Sequence, residues 1–227
     1  ILNMYSIPYT GNPLEAMFLT TSKALSSQIM LKENIKTPLT CFPSQSAMLI
    51  PGKKYIIKPV WEDGSQGITA ESVFTYIAGY EKNFEHKSDT HWIVQEYIDG
   101  REFNISILWS KNGPEVMPPA EMIFHNFGEE IPKIVDFRAK WLEDSFEYKN
   151  TIREFPHSNL ETALRKRIEM IALKCWNVFG LRGYARVDLR IDRDGNPYVI
   201  EVNANPCISP DSGLVAAASE AGLPMTE

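Results

Sequence analysis

The chain is short of cysteine, histidine and long apolar runs, and each shortage removes a class of function. Its only cysteines are Cys41, Cys175 and Cys207, an odd set without CxxC spacing, so no disulfide framework is expected. Reduced thiols fit a cytoplasmic setting. Cys41 and Cys175 read as packing residues, and Cys207 has no histidine near it in sequence to make it a nucleophile. None of the four histidines stands at metal-ligand spacing to another, which argues against zinc. No apolar stretch has the length of a membrane span, and no signal-peptide pattern opens the chain. Positive charge is scarce as well. A net charge of −6 and a pI near 5.4 speak against a nucleic-acid partner. GxGxxG after a strand, GxxxxGK[ST] and GxSxG are all missing, so dinucleotide, Walker-type and serine-hydrolase readings have no support.

What is present is concentrated near the C-terminus. Residues 183–206 read as two alternating strands joined by Asp194-Gly195, a dipeptide that favours a two-residue type I′ turn. That turn sets Arg193 opposite Asn196, Asp188 opposite Glu201 and Arg186 opposite Asn203. A four-residue loop keeps this register, whereas a three- or five-residue loop shifts it by one. One face then carries Ala185, Val187, Leu189, Ile191, Tyr198, Ile200, Val202 and Ala204 as core. The other carries Arg186, Asp188, Glu201, Asn203 and Asn205. Opposed carboxylates repel, and a hard divalent cation with oxygen ligands such as Mg²⁺ removes that penalty. A solvated outer face neutralised by Arg186 and Arg190 is the plainer alternative.

With 227 residues and 44% hydrophobic content, the chain can bury one large core or two smaller ones. Ser6 to Asn12 reads as a turn region. Thr21 or Ser22 caps a helix over residues 23–33, with Leu25, Ile29 and Leu31 as its apolar positions and Thr37-Pro38 as its stop. A short strand over Tyr55–Lys58 precedes the loop Trp61–Gly67. A helix is expected over Ser72–Tyr80, a strand over His91–Ile98, and a half-buried strand over Glu102–Trp109 with Phe103, Ile105, Ile107 and Trp109 inward. Residues 110–155 show weak periodicity. Ser158 and Glu161 form a capping box for a helix with the stripe Leu160, Leu164, Ile168, Ile171, Cys175, ended by Gly180. Asp211 or Ser212 caps a last helix. Strand runs followed by helices indicate an α+β fold. The expected divisions are a connecting segment over 1–22, a small lobe over 23–98 and a large lobe over 99–227. Opening at Ile1 and closing at Glu227, the sequence reads as a fragment or a processed product.

Several further pieces suit phosphate chemistry. Lys58 ends a strand before a loop containing Gly64, Ser65 and Gly67, where glycines admit phosphate oxygens to the backbone and lysine supplies charge. A plain hairpin turn explains the loop equally well. Gln95, Glu96 and Tyr97 precede Asp99-Gly100, itself a candidate β-turn, and then Glu102. Lys23 and Lys140 are weaker candidates, since lone lysines are usually solvated.

In this order the pieces resemble the ATP-grasp superfamily, and most closely its D-alanine–D-alanine ligase branch. The resemblance runs from Ile7-Pro-Tyr-Thr-Gly11 to the C-terminus and is strongest at Arg186-Val-Asp188 with Glu201-Val-Asn203, and at Lys58-Pro59. It implies two α+β lobes gripping ATP, which phosphorylate a carboxylate and let an amine attack the acyl phosphate. It implies that Lys23, Lys58, Gly64 and Ser65 meet the phosphates, that Gln95, Glu96 and Tyr97 meet adenine, and that Glu102 meets the ribose. Lys140 would contact the γ-phosphate, and Arg186 the transferring group. Asp188, Glu201 and Asn203 would hold Mg²⁺, as two ions, with Mn²⁺ as a substitute. The expected function is therefore an ATP-dependent carboxylate–amine ligase acting on small molecules, amino acids or peptides, without a nucleic-acid or membrane partner and compatible with a homodimer. The other reading is an ATP-binding module that does not ligate. The branch usually has serine at Gly64 and tyrosine at Trp141, which help place the first amino acid, so a substrate other than D-alanine is expected. The stretch Ser209–Gly213 also departs from the usual holder of the second substrate's carboxylate. The lobe that precedes the Ile7 region in that branch is expected to be missing.

Overall fold

A computed structural model describes residues 2–156 and 160–223. Two antiparallel sheets form the frame. The smaller has the order β1-β4-β2-β3, from β1 (Thr40–Cys41), β2 (Lys54–Pro59), β3 (Val73–Thr75) and β4 (Trp92–Glu96). The larger runs β10-β9-β5-β7-β8, with β6 paired to β5. Its strands are β5 (Gly100–Ser110), β6 (Gly113–Val116), β7 (Ala120–Phe124), β8 (Thr151–Glu154), β9 (Tyr184–Asp192) and β10 (Pro197–Asn203). The helices are α1 (Leu14–Thr21), α2 (Lys23–Lys32), α3 (Phe137–Trp141), α4 (Phe146–Asn150), α5 (Thr162–Val178) and α6 (Gly213–Glu220). Residues 1–22, expected as a connecting segment, contain α1.

Each sheet has its own core. Phe103, Ile105, Ile107, Val187 and Leu189 are fully buried beneath α5, whose expected stripe supplies Leu160, Ile168 and Cys175, with Leu164 and Ile171 at its edge. Ala16, Met30 and Ile35 join this core, so α1 and α2 pack on the large sheet. The small sheet covers Cys41, Leu49, Tyr55, Phe74, Tyr76, Phe84 and Val94. Burial pushes the Cys41 and Cys175 thiols up, to about 11 and about 12, which makes them inert packing residues.

The hairpin departs from its expected turn. Asp192 N–H donates to Asn196 O at 3.0 Å and Gly195 N–H to Asp192 O at 3.0 Å, while Gly195 takes φ 79°. The loop is thus Arg193, Asp194 and Gly195, a tight turn followed by a left-handed residue. Asp192 Oδ1 secures it, accepting from the N–H groups of Asp194 and Asn196 at 3.0 and 2.7 Å. This loop shifts the register by one, so Tyr198 faces Arg190 and Val199 faces Leu189. A bulge between Val199 and Glu201 then takes up Ile200, and Glu201 faces Asp188 after all, with Asn203 opposite Arg186. The core residue is therefore Val199, fully buried, in place of Tyr198 and Ile200.

Other expectations also changed. Ser72–Tyr80 is no helix: a 3-10 turn at Ala70–Ser72 leads into β3, because Val73 and Phe74 pair with Ile56 and Tyr55. Asp99-Gly100 makes no turn, as Gly100 already begins β5. Asn34 at φ 56° ends α2 before Pro38 is reached. The buried face of α2 is Lys23, Ser26, Ser27 and Met30, and Leu31 is exposed. Trp109 is likewise exposed, stacked on Trp176 at 6.2 Å. Ser158 lies outside the described residues, and Glu161 at the N-cap of α5 makes no side-chain cap. Ser22 and Ser212 do cap, accepting from Leu25 and Val215 at 3.4 Å each.

Gly100 is where the sheet tolerates no side chain. It has φ 156°, and a Cβ there would stand 1.9 Å from the Ile191 carbonyl oxygen. Gly100→Ala should cost about 3 kcal/mol or more in a denaturant titration. Gly79→Ala, in open space at φ 88°, should lose only the left-handed strain of about 1–2 kcal/mol.

Candidate active site

Register across β5, β9 and β10 arranges the polar side chains in rows. Asn104 pairs with Asp188, which pairs with Glu201; Ser106 pairs with Arg186, which pairs with Asn203; Glu102 pairs with Arg190, which pairs with Tyr198. Alternation puts all three rows on the face opposite the core. Asn104 was missed by sequence reasoning. It lies in the polar half of the β5 pattern, but its relevance depends on β5 being the neighbour of β9, which one strand cannot reveal.

Within the rows the acids already have cations. Arg186 grips Asp188 with a two-pronged contact, Nε to Oδ1 at 2.7 Å and Nη2 to Oδ2 at 2.8 Å, and Asn104 Nδ2 donates to Oδ1 at 2.9 Å. Lys23 Nζ stands 3.8 Å from Glu201 Oε1 and 3.8 Å from Asp63 Oδ1, and donates to Glu62 O. The expected repulsion between Asp188 and Glu201 is therefore offset by ion pairs. Arg186 acts as the plainer alternative proposed, whereas Arg190 is engaged elsewhere.

Glu201 is the electrostatic centre. Burial pushes its carboxyl up, but Lys23, Lys140, Arg186 and Lys58 outweigh burial and hold it below the ordinary carboxylate value. These cations come from α2, α3, β9 and β2, so elements of both sheets converge here. Burial lowers the Lys58 ammonium to about 8, against the pull of Glu201. Lys58 Nζ donates to Gln95 Oε1 at 2.8 Å, and Gln95 Nε2 to Thr40 Oγ1 at 3.1 Å. Asp63 was also missed; its signal was an acid beside Gly64. Burial and then the neighbouring Glu201 raise its carboxyl to about 6.

The glycine loop is tied to the large-sheet side. Gly64 and Ser65 both take left-handed φ, 65° and 62°. Ser65 Oγ donates to Val135 O at 2.7 Å, Phe137 N–H to Ile68 O at 3.2 Å, and the Trp141 indole N–H to Gly64 O at 2.9 Å. The two positions that depart from the ligase pattern therefore touch each other.

The residues expected around adenine and ribose are largely engaged within the protein. Glu96 N–H donates to Leu39 O at 2.8 Å and Tyr97 N–H to Lys54 O at 3.0 Å, so these donors are not free for a base. Glu96 Oε1 accepts from Lys53 at 2.9 Å. Glu102, 7% exposed, pairs with Arg190 at 3.0 Å. Arg190 also donates to Ile98 O at 2.7 Å and to Lys133 O, and lies 5.0 Å from the Tyr97 ring centroid.

Asp188, Glu201 and Asn203 offer only hard oxygen donors, on adjacent and facing positions, which fits Mg²⁺. Among the described residues no group of three or more His, Cys, Asp or Glu side chains is gathered for a metal. Two carboxylates and an amide would therefore leave part of the coordination to water or phosphate oxygens.

Asp63 yields a test. It binds its proton more tightly folded than unfolded, so its contribution to stability is present at acid pH and lost as pH rises through about 6. Asp63→Asn should raise Tm by a few degrees at pH 7.5, where the charged form is penalised. The gain should shrink as pH falls from 6 towards 4, and a series of melts across that range measures it.

Residues 46–227 match the family model described as D-ala D-ala ligase C-terminus. An uncharacterized protein, y4sG, of Sinorhizobium fredii is 31% identical over 224 residues, covering 98% of this chain and 64% of that protein. The D-alanine–D-alanine ligase of Albidiferax ferrireducens is 27% identical over 229 residues, covering 98% of this chain and 62% of the ligase. The chain thus spans a little under two thirds of these relatives' length. Among solved structures, D-alanine–D-alanine ligase from Bacillus anthracis complexed with ATP superposes with TM-score 0.68 at 24% identity, over 98% of this chain and 68% of that one. D-alanyl-alanine synthetase A from Vibrio cholerae gives TM-score 0.74 at 17% identity, over 99% of this chain and 67% of that one. No helix among the described residues is long and apolar enough to cross a membrane. With its antiparallel α+β architecture and its rows of charge, the chain belongs to the D-alanine–D-alanine ligase C-terminal family, of the ATP-grasp fold.

Proposed function

We propose that this chain is the ATP-grasp part of an ATP-dependent carboxylate–amine ligase. The observation that carries the reading is the convergence of Lys23, Lys58, Lys140 and Arg186 on Glu201. These four cations outnumber the three carboxylates among them, Asp63, Asp188 and Glu201, and the excess positive charge suits a polyphosphate. Phosphoryl transfer asks mainly for positioning and charge neutralisation. A carboxylate oxygen attacks the γ-phosphorus and ADP leaves; an amine nitrogen then attacks the acyl carbon, phosphate leaves and the nitrogen loses a proton. In that sequence Lys23 and Lys58 hold the phosphates with the Gly64–Ser65 loop, while Lys140 and Arg186 offset charge on the transferring group. Asp188, Glu201 and Asn203 would hold Mg²⁺ or Mn²⁺, which supplies further neutralisation of phosphate oxygens when bound. The two lobes of the grip would be 23–98 and 99–227, with α2 of the first packed on the core of the second and so bringing Lys23 to Glu201.

Adenine is read from the Gln95–Tyr97 stretch through carbonyls and the Tyr97 ring, since its Glu96 and Tyr97 N–H groups are already bonded. A ribose contact from Glu102 requires that carboxylate to share Arg190. The donor acid meets Trp141 where the ligase branch has a hydroxyl, so the reading favours an acid other than D-alanine. A site that lacks a required polar contact loses selectivity by orders of magnitude.

The test is ADP release by the full-length protein across a panel of amino acids and dipeptides. One or more pairs should support turnover, and D-alanine alone should not. Glu201→Gln should abolish ADP formation, with a loss of about a hundredfold or more expected for a lost charge-positioning group. Turnover undiminished in Glu201→Gln would remove the metal assignment. Robust synthesis of D-alanyl-D-alanine would overturn the substrate reading.

A further inference from the structure

Asn12, just ahead of α1, has no role in the account above, yet its side chain is buried and fully engaged with distant backbone. Its Nδ2 donates to Tyr184 O at 2.7 Å and to Ala204 O at 2.6 Å, and its Oδ1 accepts from Arg182 N–H at 2.6 Å. A side-chain amide has two donor protons, so each carbonyl receives one. The approach is close enough to require glycine at 183, where a Cβ would stand 3.0 Å from Gly11 N.

The place of this contact gives it meaning. Pairing of β9 with β10 ends at Arg186 and Asn203, and the two carbonyls lie just beyond that point, Tyr184 on β9 and Ala204 after β10. Asn12 therefore continues the ladder with a side chain where the backbone ladder stops. Ala204 is buried, and a buried carbonyl left without a donor costs about 1–3 kcal/mol.

Ala204 O and Asn205 N–H belong to one peptide unit. Such a unit is planar, and in its trans form the oxygen and the N–H point in opposite directions. Asn12 holds the oxygen end. The N–H end donates to Asn203 Oδ1 at 2.9 Å, while Asn205 Oδ1 accepts from Tyr184 OH at 3.2 Å. Turning this peptide would withdraw the donor from Asn203. That bond also decides which end of the Asn203 amide is which: an N–H partner demands the oxygen, and the second lone pair of that oxygen stays available to a cation. One path thus runs from Asn12 through a single peptide unit to Asn203.

We propose that Asn12 is a positioning residue for the metal: by holding the Ala204–Asn205 peptide it presents the Asn203 side-chain oxygen to the cation shared with Asp188 and Glu201. The inference rests on the ligase reading and its metal assignment. Asn12 touches neither the metal nor a substrate, and its whole effect passes through Asn203.

A double-mutant cycle on the full-length protein tests this. Mn²⁺ is titrated into nucleotide-free wild type, Asn12→Ser, Asn203→Ala and the double variant, with free Mn²⁺ followed by EPR. Serine keeps one hydroxyl donor but cannot span both carbonyls, so it is a mild change. Asn12→Ser and Asn203→Ala should each weaken Mn²⁺ binding about tenfold, the scale of losing a group that orients a metal ligand. The double variant should bind no more weakly than Asn203→Ala alone, because the path has already been cut. A merely structural role of Asn12 gives losses that multiply, as independent effects do. Multiplied losses therefore overturn the proposal alone, and so does an Asn12→Ser affinity within about twofold of wild type. Equal Mn²⁺ affinity in wild type and Asn203→Ala overturns the metal assignment, and this role with it. Wild type supplies a measurement that needs no variant to fold. Coupling between two sites is reciprocal, so adding Mg²⁺ should slow exchange of the Asn205 amide and of the Asn12 Nδ2 protons, read by NMR. Mg²⁺ that slows Asn205 and leaves Asn12 unchanged overturns the path.

Discussion

Neutralising Glu201 is the constraint on which the arrangement depends. A carboxylate on the polar face of a sheet, directly beside another carboxylate, is unfavourable unless positive charge is brought to it. Here the charge arrives from α2, β2, α3 and β9, elements of otherwise separate packing units. Each must be held in place by its own local chemistry. Ser22 caps the helix that begins with Lys23, Gln95 and Thr40 line up to fix Lys58, and Asp136 caps the short helix bearing Lys140 by accepting from Ala139 N–H at 2.8 Å. The acid is the hub, and the two sheets are brought to register around it.

That hub explains features that look like defects in a simpler view. The buried stripe of α2 begins with a lysine because Lys23 reaches Glu201 and Asp63, while Ser26 bonds back to the Lys23 carbonyl and Ser27 shares a hydrogen bond with Thr40. Asp63 keeps a raised carboxyl because it is partly buried and lies beside Glu201, against the pull of Lys23. The loop itself is fixed by hydrogen bonds to Val135, Phe137 and Trp141, which span the two sheets. A charged site between two separately packed bodies is thereby given a definite geometry.

Much of this was legible in the sequence. Alternation located β5, β9 and β10, apolar spacing located α5, and the residue types at Lys58, Arg186, Asp188, Glu201 and Asn203 pointed to phosphate and metal chemistry. The pairing of Asp188 with Glu201 came out right through two departures that cancel: a loop one residue longer than expected and a bulge at Ile200. Loop length depends on how Asp192 bonds its neighbours, and a bulge leaves little trace in alternation. The helix expected at 72–80 failed because edge pairing with β2 outweighed local propensity. Asn104 and Asp63 escaped because strand order and loop approach are long-range facts.

The bulge has a consequence for how such a hairpin can change over evolutionary time. Turns are where insertions and deletions accumulate, and in a plain hairpin each single-residue change at the tip would rotate every functional side chain out of phase. Here the phase is reset at Ile200, between the tip and the acids. The tip is free to drift in length by a residue so long as the bulge is lost or gained in compensation. Two events far from the chemistry can then exchange with each other while Glu201 and Asn203 keep their places. A comparison of relatives that aligned only the tip would misjudge the distance between them.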